Sequence, residues 1–379
     1  MELPEIREQI DKLDDQITEL FLRRMELCKN AAEIKADRGL PVLNRERERE
    51  ILRRVRGHSG DMEQYTHRLF TTLFELSRAY QESLCSAPSK LRGIVEGSAE
   101  HAAAVFPQTG LIACQGVEGA YSQMAADRLF PRGDIVYFKS FEGVFGAVEN
   151  GLCQFGVLPI ENSSYGSVRA VYDLIRRRNV YIVRSARLCI RHRLLVKPGT
   201  GLEDVTEIYS HEQALGQCGS FLKTLGDKVK LLPCDNTATA ARYVARRADS
   251  GAAAISSAEC AGLYGLVPLD VEIQDSDNNY TRFVCISKRP QIYPGANRIS
   301  LILALEHRPG SLYEVLAKLA ALQINLIKLE SCPIVGHDFE FMFFFELEAS
   351  VFDPNVISML ESLERDCRSF IYLGNYSEV

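Results

Sequence analysis

A chain of 379 residues with 46% hydrophobic and 25% charged residues has the make-up of a globular protein and exceeds the usual reach of one core, so about two or three domains are expected. A formal net charge of -6 argues against nucleic acid as the main partner, because such binding needs a basic surface, and leaves anionic small molecules only through local cationic pockets. The opening MELPEIREQI lacks a cationic start with an apolar run, and no stretch approaches the roughly 18 continuous apolar residues of a membrane helix, which points to a cytoplasmic protein with no membrane partner.

The first element is a long helix: no Gly stands between Met1 and Arg38, and an apolar stripe at spacings of three, four and seven runs through Ile6, Ile10, Leu13, Ile17, Leu20, Phe21, Leu27, Cys28, Ala31 and Ile34. Arg24 falls within this apolar stripe, four residues after Leu20 and four before Cys28. Lys35 follows Ala31 by four, and Arg7 flanks the start of the same face. Cations on a face that ought to be dry need anions, since one left buried and unpaired costs several kcal/mol. They either snorkel to the edge, pair with glutamates of another helix, or meet a ligand. In the next stretch, LNRERERE, Asn44 caps a second helix; Arg47 and Glu48 lead to Ile51 and Leu52 at i+4 and lean inward, while Arg45, Arg49, Arg53 and Arg56 share a solvated face. A third helix sets Ser77 and Gln81, neutral hydrogen-bonding groups at i, i+4, among Leu69, Phe70, Leu73, Tyr80 and Leu84.

These polar anomalies resemble the helical chorismate mutase domain that opens the bifunctional chorismate mutase/prephenate dehydratases. The resemblance covers about residues 3 to 84 and implies a pocket inside an intertwined helical dimer. Arg24 and an Arg7 from the partner chain would bind the two carboxylates of chorismate, Lys35 and Gln81 would donate to its ether oxygen, Glu48 would accept from the ring hydroxyl, and Ser77 would lie nearby. Asn44 stands where the family usually has Asp, so its contact would run through the backbone amide. A pericyclic rearrangement needs no nucleophile, only a held conformer and donors aimed at the breaking C–O bond, each typically worth about 3 to 4 kcal/mol.

From about 86 to 108 the sequence is rich in small residues and weakly periodic, as a linker would be. From 111, short apolar strands alternate with helices (LIACQG, AYSQMAADRLF, IVYF, FEGVFGAVENG, FGVLPIEN), and the alternation resumes after about 205, giving two α/β lobes with a cleft between them. The eleven cysteines, several inside apolar strands (Cys114, Cys153, Cys285) and none in a CxxC pair, read as reduced core residues, and the scattered histidines offer no metal-ligand spacing, so neither metal nor cofactor is expected. Gly116, Gly119 and Ser122 mark a strand-to-helix turn, and Glu161, Asn162 and Ser163 end an apolar strand, where open α/β sheets bind ligands. Thr281 and Arg282 stand at the mouth of a buried strand. With GAYS, SHEQALGQC and NTATAA, the segments PIENS and TRF resemble the prephenate dehydratase signature over about 109 to 290. That implies two lobes like a periplasmic solute-binding protein, with Glu161, Asn162, Ser163, Ser210, Gln213, Thr237, Thr281 and Arg282 in the prephenate cleft. Thr281 would help the C4 hydroxyl leave as water while the ring carboxylate leaves as CO2; whether Thr281 or Glu161 delivers the proton stays open.

The last unit, about 297 to 375, reads strand, helix, strand, strand, helix, strand, a ferredoxin-like βαββαβ order. HRPGSLYEVL followed by INLIKLESCP resembles an ACT regulatory domain. Phenylalanine as effector would then sit by Gly310, Ser311 and Leu312 and by Glu330 and Ser331, with Cys332 where the family carries Arg. The domains expected are thus a helical mutase at 1–85, a linker at 86–108, a dehydratase at 109–290 and an ACT domain at 297–375, in a homodimer or higher oligomer. Two other readings are a dehydratase whose helical domain only dimerises, which requires the inward cations to pair with protein carboxylates, and a non-catalytic ligand-binding regulator. No G-x-G-x-x-G follows a strand, which disfavours a dehydrogenase.

Overall fold

The computed structural model describes residues 2–85, 89–100, 104–333 and 341–379, which fall into two compact units. One unit gathers the N-terminal helices with residues 305–324 and 352–368; the other holds 95–304, 325–351 and 369–379.

In the first unit, α1 (Leu3–Asp37) starts at a capping box between Glu2 and Glu5 and stops before Gly39, whose φ of 62° is left-handed. Its 35 residues rise about 52 Å, longer than a small domain is wide. α2 (Arg45–Ser59) carries Glu46 and Glu48 in its first turn and Arg56 and His58 in its last, as the helix dipole favours. α3 (Glu63–Cys85) packs back along α1. This bundle has very little interior of its own: Ala32 is its one buried residue on α1, while Leu13, Ile17, Leu20 and Leu27 are 55–65% exposed. A further helix, α4 (Lys90–Glu100), corrects the linker reading. Leu91, Val95 and Ser98 bury one i, i+4, i+7 stripe, and the small residues around them hid the period.

In the second unit the strands run β1 (Leu111–Gln115), β2 (Asp134–Phe138), β3 (Phe155–Asn162), β4 (Gly166–Ser167), β5 (Tyr181–Cys189), β6 (Arg193–Val196), β7 (Glu207–Ser210), β8 (Lys230–Pro233), β9 (Ala252–Ser256), β10 (Val267–Pro268) and β11 (Tyr280–Ser287). They form two sheets, β2-β1-β3-β11-β5 with β4 on β3, and β10-β6-β9-β7-β8. Helices α5 (Tyr121–Leu129), α6 (Phe141–Glu149) and α7 (Arg169–Arg177) serve the first lobe; α8 (Glu212–Gly216), α9 (Gly219–Leu225), α10 (Thr237–Arg246) and α11 (Ala258–Tyr264) serve the second. The chain crosses between lobes after β5 and returns before β11, so each lobe has its own apolar core, around Phe145, Leu158 and Val284 in the first and Ile208, Ala253 and Ile255 in the second. This is the two-lobed α/β fold that the alternation of strands and helices implied.

A third sheet, β13-β14-β12-β15, is built from β12 (Arg298–Ala304), β13 (Asn325–Pro333), β14 (Phe341–Glu348) and β15 (Ser369–Tyr376) and is wholly antiparallel. Helices α12 (Ser311–Ala321) and α13 (Pro354–Asp366) lie in its connections and belong to the first unit. The sheet shares a core with the first lobe, where Ile302, Met342 and Phe344 join Tyr172 and Ile175. Gly374 has φ 139°, and a Cβ there would stand 2.2 Å from the Ile182 carbonyl oxygen, so only glycine lets β15 approach β5 this closely. Ser377 and Val379 then accept from Ser185 and Arg187, extending the lobe's edge strand. Among the described residues, no helix is long and apolar enough to cross a membrane.

Candidate active site

The first candidate site lies between α1 and α3. The Arg24 guanidinium, half-buried, donates to the Ser77 hydroxyl and, at 3.2 Å, to the Leu73 carbonyl, and lies 5.8 Å from the Phe74 ring centroid. Lys35 donates to Gln81 Oε1 at 3.0 Å and to the Val42 carbonyl at 2.7 Å. Ser77 and Gln81 are buried, 3% and 6% exposed, so a polar face one turn long is sealed inside an otherwise apolar contact. Among the described residues neither Arg24 nor Lys35 has a carboxylate partner. Both hold only neutral oxygens, an incomplete arrangement for half-buried cations and a ready one for an anion.

Glu48 turns inward, where one of its oxygens takes an ion pair from Arg78. Arg47 does not: it is exposed and pairs with Glu50 at 2.6 Å, because residue 47 sits a full 100° around the helix from Glu48. Asn44 Oδ1 accepts from the Arg47 amide at 3.0 Å, a regular N-cap. Replacing Asn44 with Ala is therefore expected to cost about 1 kcal/mol of stability in urea unfolding, and Asn44→Asp to cost nothing measurable. Arg7 is exposed and lies 17 residues before Arg24 on one helix, about 25 Å away, so it cannot reach this pocket within one chain. Arg78, on neither apolar stripe, escaped sequence reasoning; its place beside Ser77 was the available signal.

The second candidate site lies at the mouth of β3 and β11. Their register pairs Thr281 with Asn162 and Arg282 with Glu161. Successive strand residues point to opposite faces, so the pairs separate. Asn162 Nδ2 donates to Thr281 Oγ1 at 2.9 Å and to Asn279 Oδ1 at 2.9 Å, while its Oδ1 accepts from the Ser164 and Tyr165 amides at 2.9 and 3.1 Å. Those two amides fix the orientation of the Asn162 side chain. With a donor already on its oxygen, Thr281 has its own hydrogen free to give.

The chain of polar groups continues from Asn279 Nδ2 to Gln217 Oε1 at 2.9 Å and from there to His192 Nε2 at 2.8 Å. Asn279, Gln217 and His192 were missed in the sequence, although Asn279 shares the face of Thr281 two residues on. Burial pushes His192 below its ordinary value, an effect the Gln217 hydrogen bond partly offsets. A histidine favoured neutral in the fold makes stability fall as pH drops below about 6.5, where the unfolded chain takes a proton that the folded one resists. The urea midpoint is expected to decline from pH 7.5 to 5.5, less steeply in His192→Gln.

On the opposite face, Arg282 pairs with Glu346 at 2.6 Å and Glu161 at 3.2 Å, and Glu161 also pairs with Lys328 at 3.0 Å. This corrects the expectation that Glu161 and Arg282 line the cleft with Thr281: strand alternation turns both toward the third sheet. Burial alone would raise the Glu346 carboxyl, but Arg282 and Arg298 outweigh it and hold it below its ordinary value.

Ser163 Oγ donates to the Asn278 carbonyl and accepts from the Tyr280 amide, both at 2.9 Å, and so closes the loop beside the site. In the second lobe Ser210 is buried and donates to the Ile255 carbonyl at 2.7 Å, Gln213 is exposed on α8, and Thr237 opens α10 behind the Asn236 cap. Gly116, at φ 110°, faces that cap: a Cβ there would come within 3.3 Å of Asn236 Nδ2. Gly119 donates to Gln123 Oε1 at 2.7 Å, and Ser122 is buried on α5.

In the first unit, Gly310 takes φ 90° before α12, and Ser311 donates to the Glu306 carbonyl at 2.7 Å; Leu312 is half-buried. In the second, Glu330 holds Lys328 at 3.3 Å and accepts from Ser167, whereas Ser331, on the other face of β13, is exposed. The Cys332 thiol is pushed up by burial and by Glu330 and Asp173.

A helical bundle with cations aimed at a sealed polar face, joined to a two-lobed α/β module with a hydroxyl at its strand mouth, defines a multidomain enzyme for small anionic substrates. The chorismate mutase type II family matches residues 6–82 and the prephenate dehydratase family residues 112–291. The bifunctional chorismate mutase/prephenate dehydratase of Escherichia coli (strain K12) is 30% identical over 383 residues, covering 98% of this chain and 95% of that protein. The chain belongs to the bifunctional chorismate mutase/prephenate dehydratase family. Arogenate dehydratase/prephenate dehydratase 2, chloroplastic, of Arabidopsis thaliana is 39% identical over 277 residues, 70% of this chain and 72% of that protein. The crystal structure of prephenate dehydratase from Arthrobacter aurescens in complex with L-Phe matches with a TM-score of 0.64 at 27% identity, covering 70% of this chain and 89% of that one.

Proposed function

We propose that the two activities of this family divide between the two sites: chorismate is rearranged to prephenate at Arg24, Lys35, Ser77 and Gln81, and prephenate is converted to phenylpyruvate at Thr281. The chain is a chorismate mutase and a prephenate dehydratase of phenylalanine biosynthesis. The observation that carries the mutase assignment is the lack of a protein carboxylate on Arg24 and Lys35 among the described residues, which the dimerisation-only reading requires. Arg24 would bind a substrate carboxylate, Lys35 and Gln81 would donate to the ether oxygen as it gains negative charge, and Glu48, with Arg78 on one oxygen, would accept from the ring hydroxyl. The exposed apolar stripe of α1 supports a second copy of the chain, whose Arg7 would complete the pocket.

In the dehydratase, Thr281 would donate to the departing C4 hydroxyl as the C4–O and C–CO2 bonds break, with Asn162 holding Thr281 in place and the aromatic ring formed drawing the reaction forward. Glu161 is not that donor, since both its oxygens are engaged by Lys328 and Arg282 on the other face. Ser163, Ser210, Gln213 and Thr237 would line the approach. The strand order β13-β14-β12-β15 with helices in the connections supports a ferredoxin-like ACT domain over about 297–375, after a mutase at 1–85 and a dehydratase at 109–290. The relative solved with L-Phe supports phenylalanine as its effector, at Gly310, Ser311, Leu312, Glu330 and Ser331.

The test is to incubate the full chain with chorismate and follow both products. Phenylpyruvate appearing after transient prephenate is expected; untouched chorismate removes the mutase site, and prephenate that only accumulates removes the dehydratase site. Calorimetric titration with L-phenylalanine is expected to give saturable heat and loss of dehydratase rate, and a flat titration removes the effector.

A further inference from the structure

We infer that Lys328 and Glu346, both on the third sheet, are positioning residues for the dehydratase, acting on Thr281 through Glu161 and Arg282. The inference rests on the reading of Thr281 as the group that acts on prephenate.

Lys328 and Glu346 are cross-strand partners on β13 and β14, as Glu161 and Arg282 are on β3 and β11. Facing one another, the two pairs are bridged twice, Lys328 to Glu161 at 3.0 Å and Arg282 to Glu346 at 2.6 Å. Each lobe-side member is one peptide from the site: Glu161 precedes Asn162, and Arg282 follows Thr281. The β3–β11 register also shifts between Arg282 and Phe283, a bulge at the point where a catalytic side chain is aimed. An ion pair that moves Glu161 or Arg282 therefore moves the Asn162–Thr281 hydrogen bond with it.

Stability does not account for charge at this place. Arg282 is 7% exposed and Glu346 is fully buried, and a buried ionic cluster is commonly no more stabilising than apolar residues of the same volume. Nor is the cluster closed: among the described residues Arg282 Nε, Glu346 Oε2 and Glu378 Oε2 are buried without hydrogen-bond partners, Glu378 Oε2 lying 3.9 Å from Arg282, while Arg298 shares Glu346 at 2.7 Å and Glu378 at 3.2 Å. Lys328 is also the hinge of two roles, since on its own strand it holds Glu330 at 3.3 Å, within the segment proposed for the effector.

The experiment uses the full chain, in which the mutase reports on folding of the same molecules. Lys328→Met and Glu346→Gln are expected to lower kcat on added prephenate by about 10- to 100-fold, the scale of a small misplacement of a reacting group, with KM moved less than threefold and chorismate consumption unchanged. Lys328→Arg is expected to restore most of kcat. Unchanged kcat in Lys328→Met and in the isosteric Glu346→Gln, with Thr281→Ala inactive, overturns the inference alone. Full activity in Thr281→Ala overturns the reading beneath it. Parallel loss of both enzyme activities in every variant, Lys328→Arg included, marks the network as structural and also overturns it.

Discussion

Arg24→Ala is expected to slow chorismate consumption by about 10²- to 10³-fold while dehydration of added prephenate stays within twofold. The magnitude follows from removing a single well-placed donor from a water-poor pocket, where it acts on charge that solvent cannot reach. Arg24 reaches its site from the middle of α1, and its present partners are the Ser77 hydroxyl and a main-chain carbonyl, neither of which needs a cation. Removing it therefore strands no protein charge. Arg24→Lys keeps the charge but loses the planar fork, and an intermediate rate is expected. A mutase rate unchanged in Arg24→Ala would return the helical domain to a purely assembling role, and equal loss of both activities would refute independent sites.

Thr281→Ala is expected to abolish dehydration, by about 10²- to 10⁴-fold, the range for a positioned proton donor, and to leave prephenate accumulating from chorismate. The expectation comes from the direction of one hydrogen. Asn162 is locked by the Ser164 and Tyr165 amides, its NH2 occupies the Thr281 oxygen, and the hydroxyl hydrogen is left to point at whatever fills the cleft. Thr281→Ser keeps that hydroxyl and is expected to retain most of the rate, whereas Asn162→Ala frees the hydroxyl to turn and is expected to fall between the two. Activity in Thr281→Ala would move the donor elsewhere in the cleft.

Much of this was legible in the sequence wherever a residue broke a periodic pattern. Arg24, Lys35, Ser77 and Gln81 interrupt apolar stripes at helical spacing, and the structure brings them together in pairs. Asn44 reads as a cap and is one. Long-range partners were less accessible. What matters about Arg78 and Lys328 is an opposing glutamate, 30 residues away in one case and 167 in the other, which spacing along the chain does not show. The grouping of Glu161 and Arg282 with Thr281 came from treating a motif as a cluster, when the two-residue period of a strand already separated them. The helix α4 was hidden for a different reason, a short buried stripe of Leu91, Val95 and Ser98 with only two large apolar members, among Gly, Ser and Ala.

The pairing of Thr281 with Asn162 has a consequence for what lengths of chain this enzyme can tolerate. A one-residue insertion or deletion between Asn279 and Arg282 would exchange the faces of β11 at its mouth, putting a guanidinium into the cleft and a threonine against the buried carboxylate of Glu346. The same change a few residues earlier, in the exposed stretch around Ser276 and Asp277, would be absorbed by a loop. Across natural variants, gaps should thus collect before Asn278 and stop abruptly there, a boundary drawn by parity rather than by contact with substrate.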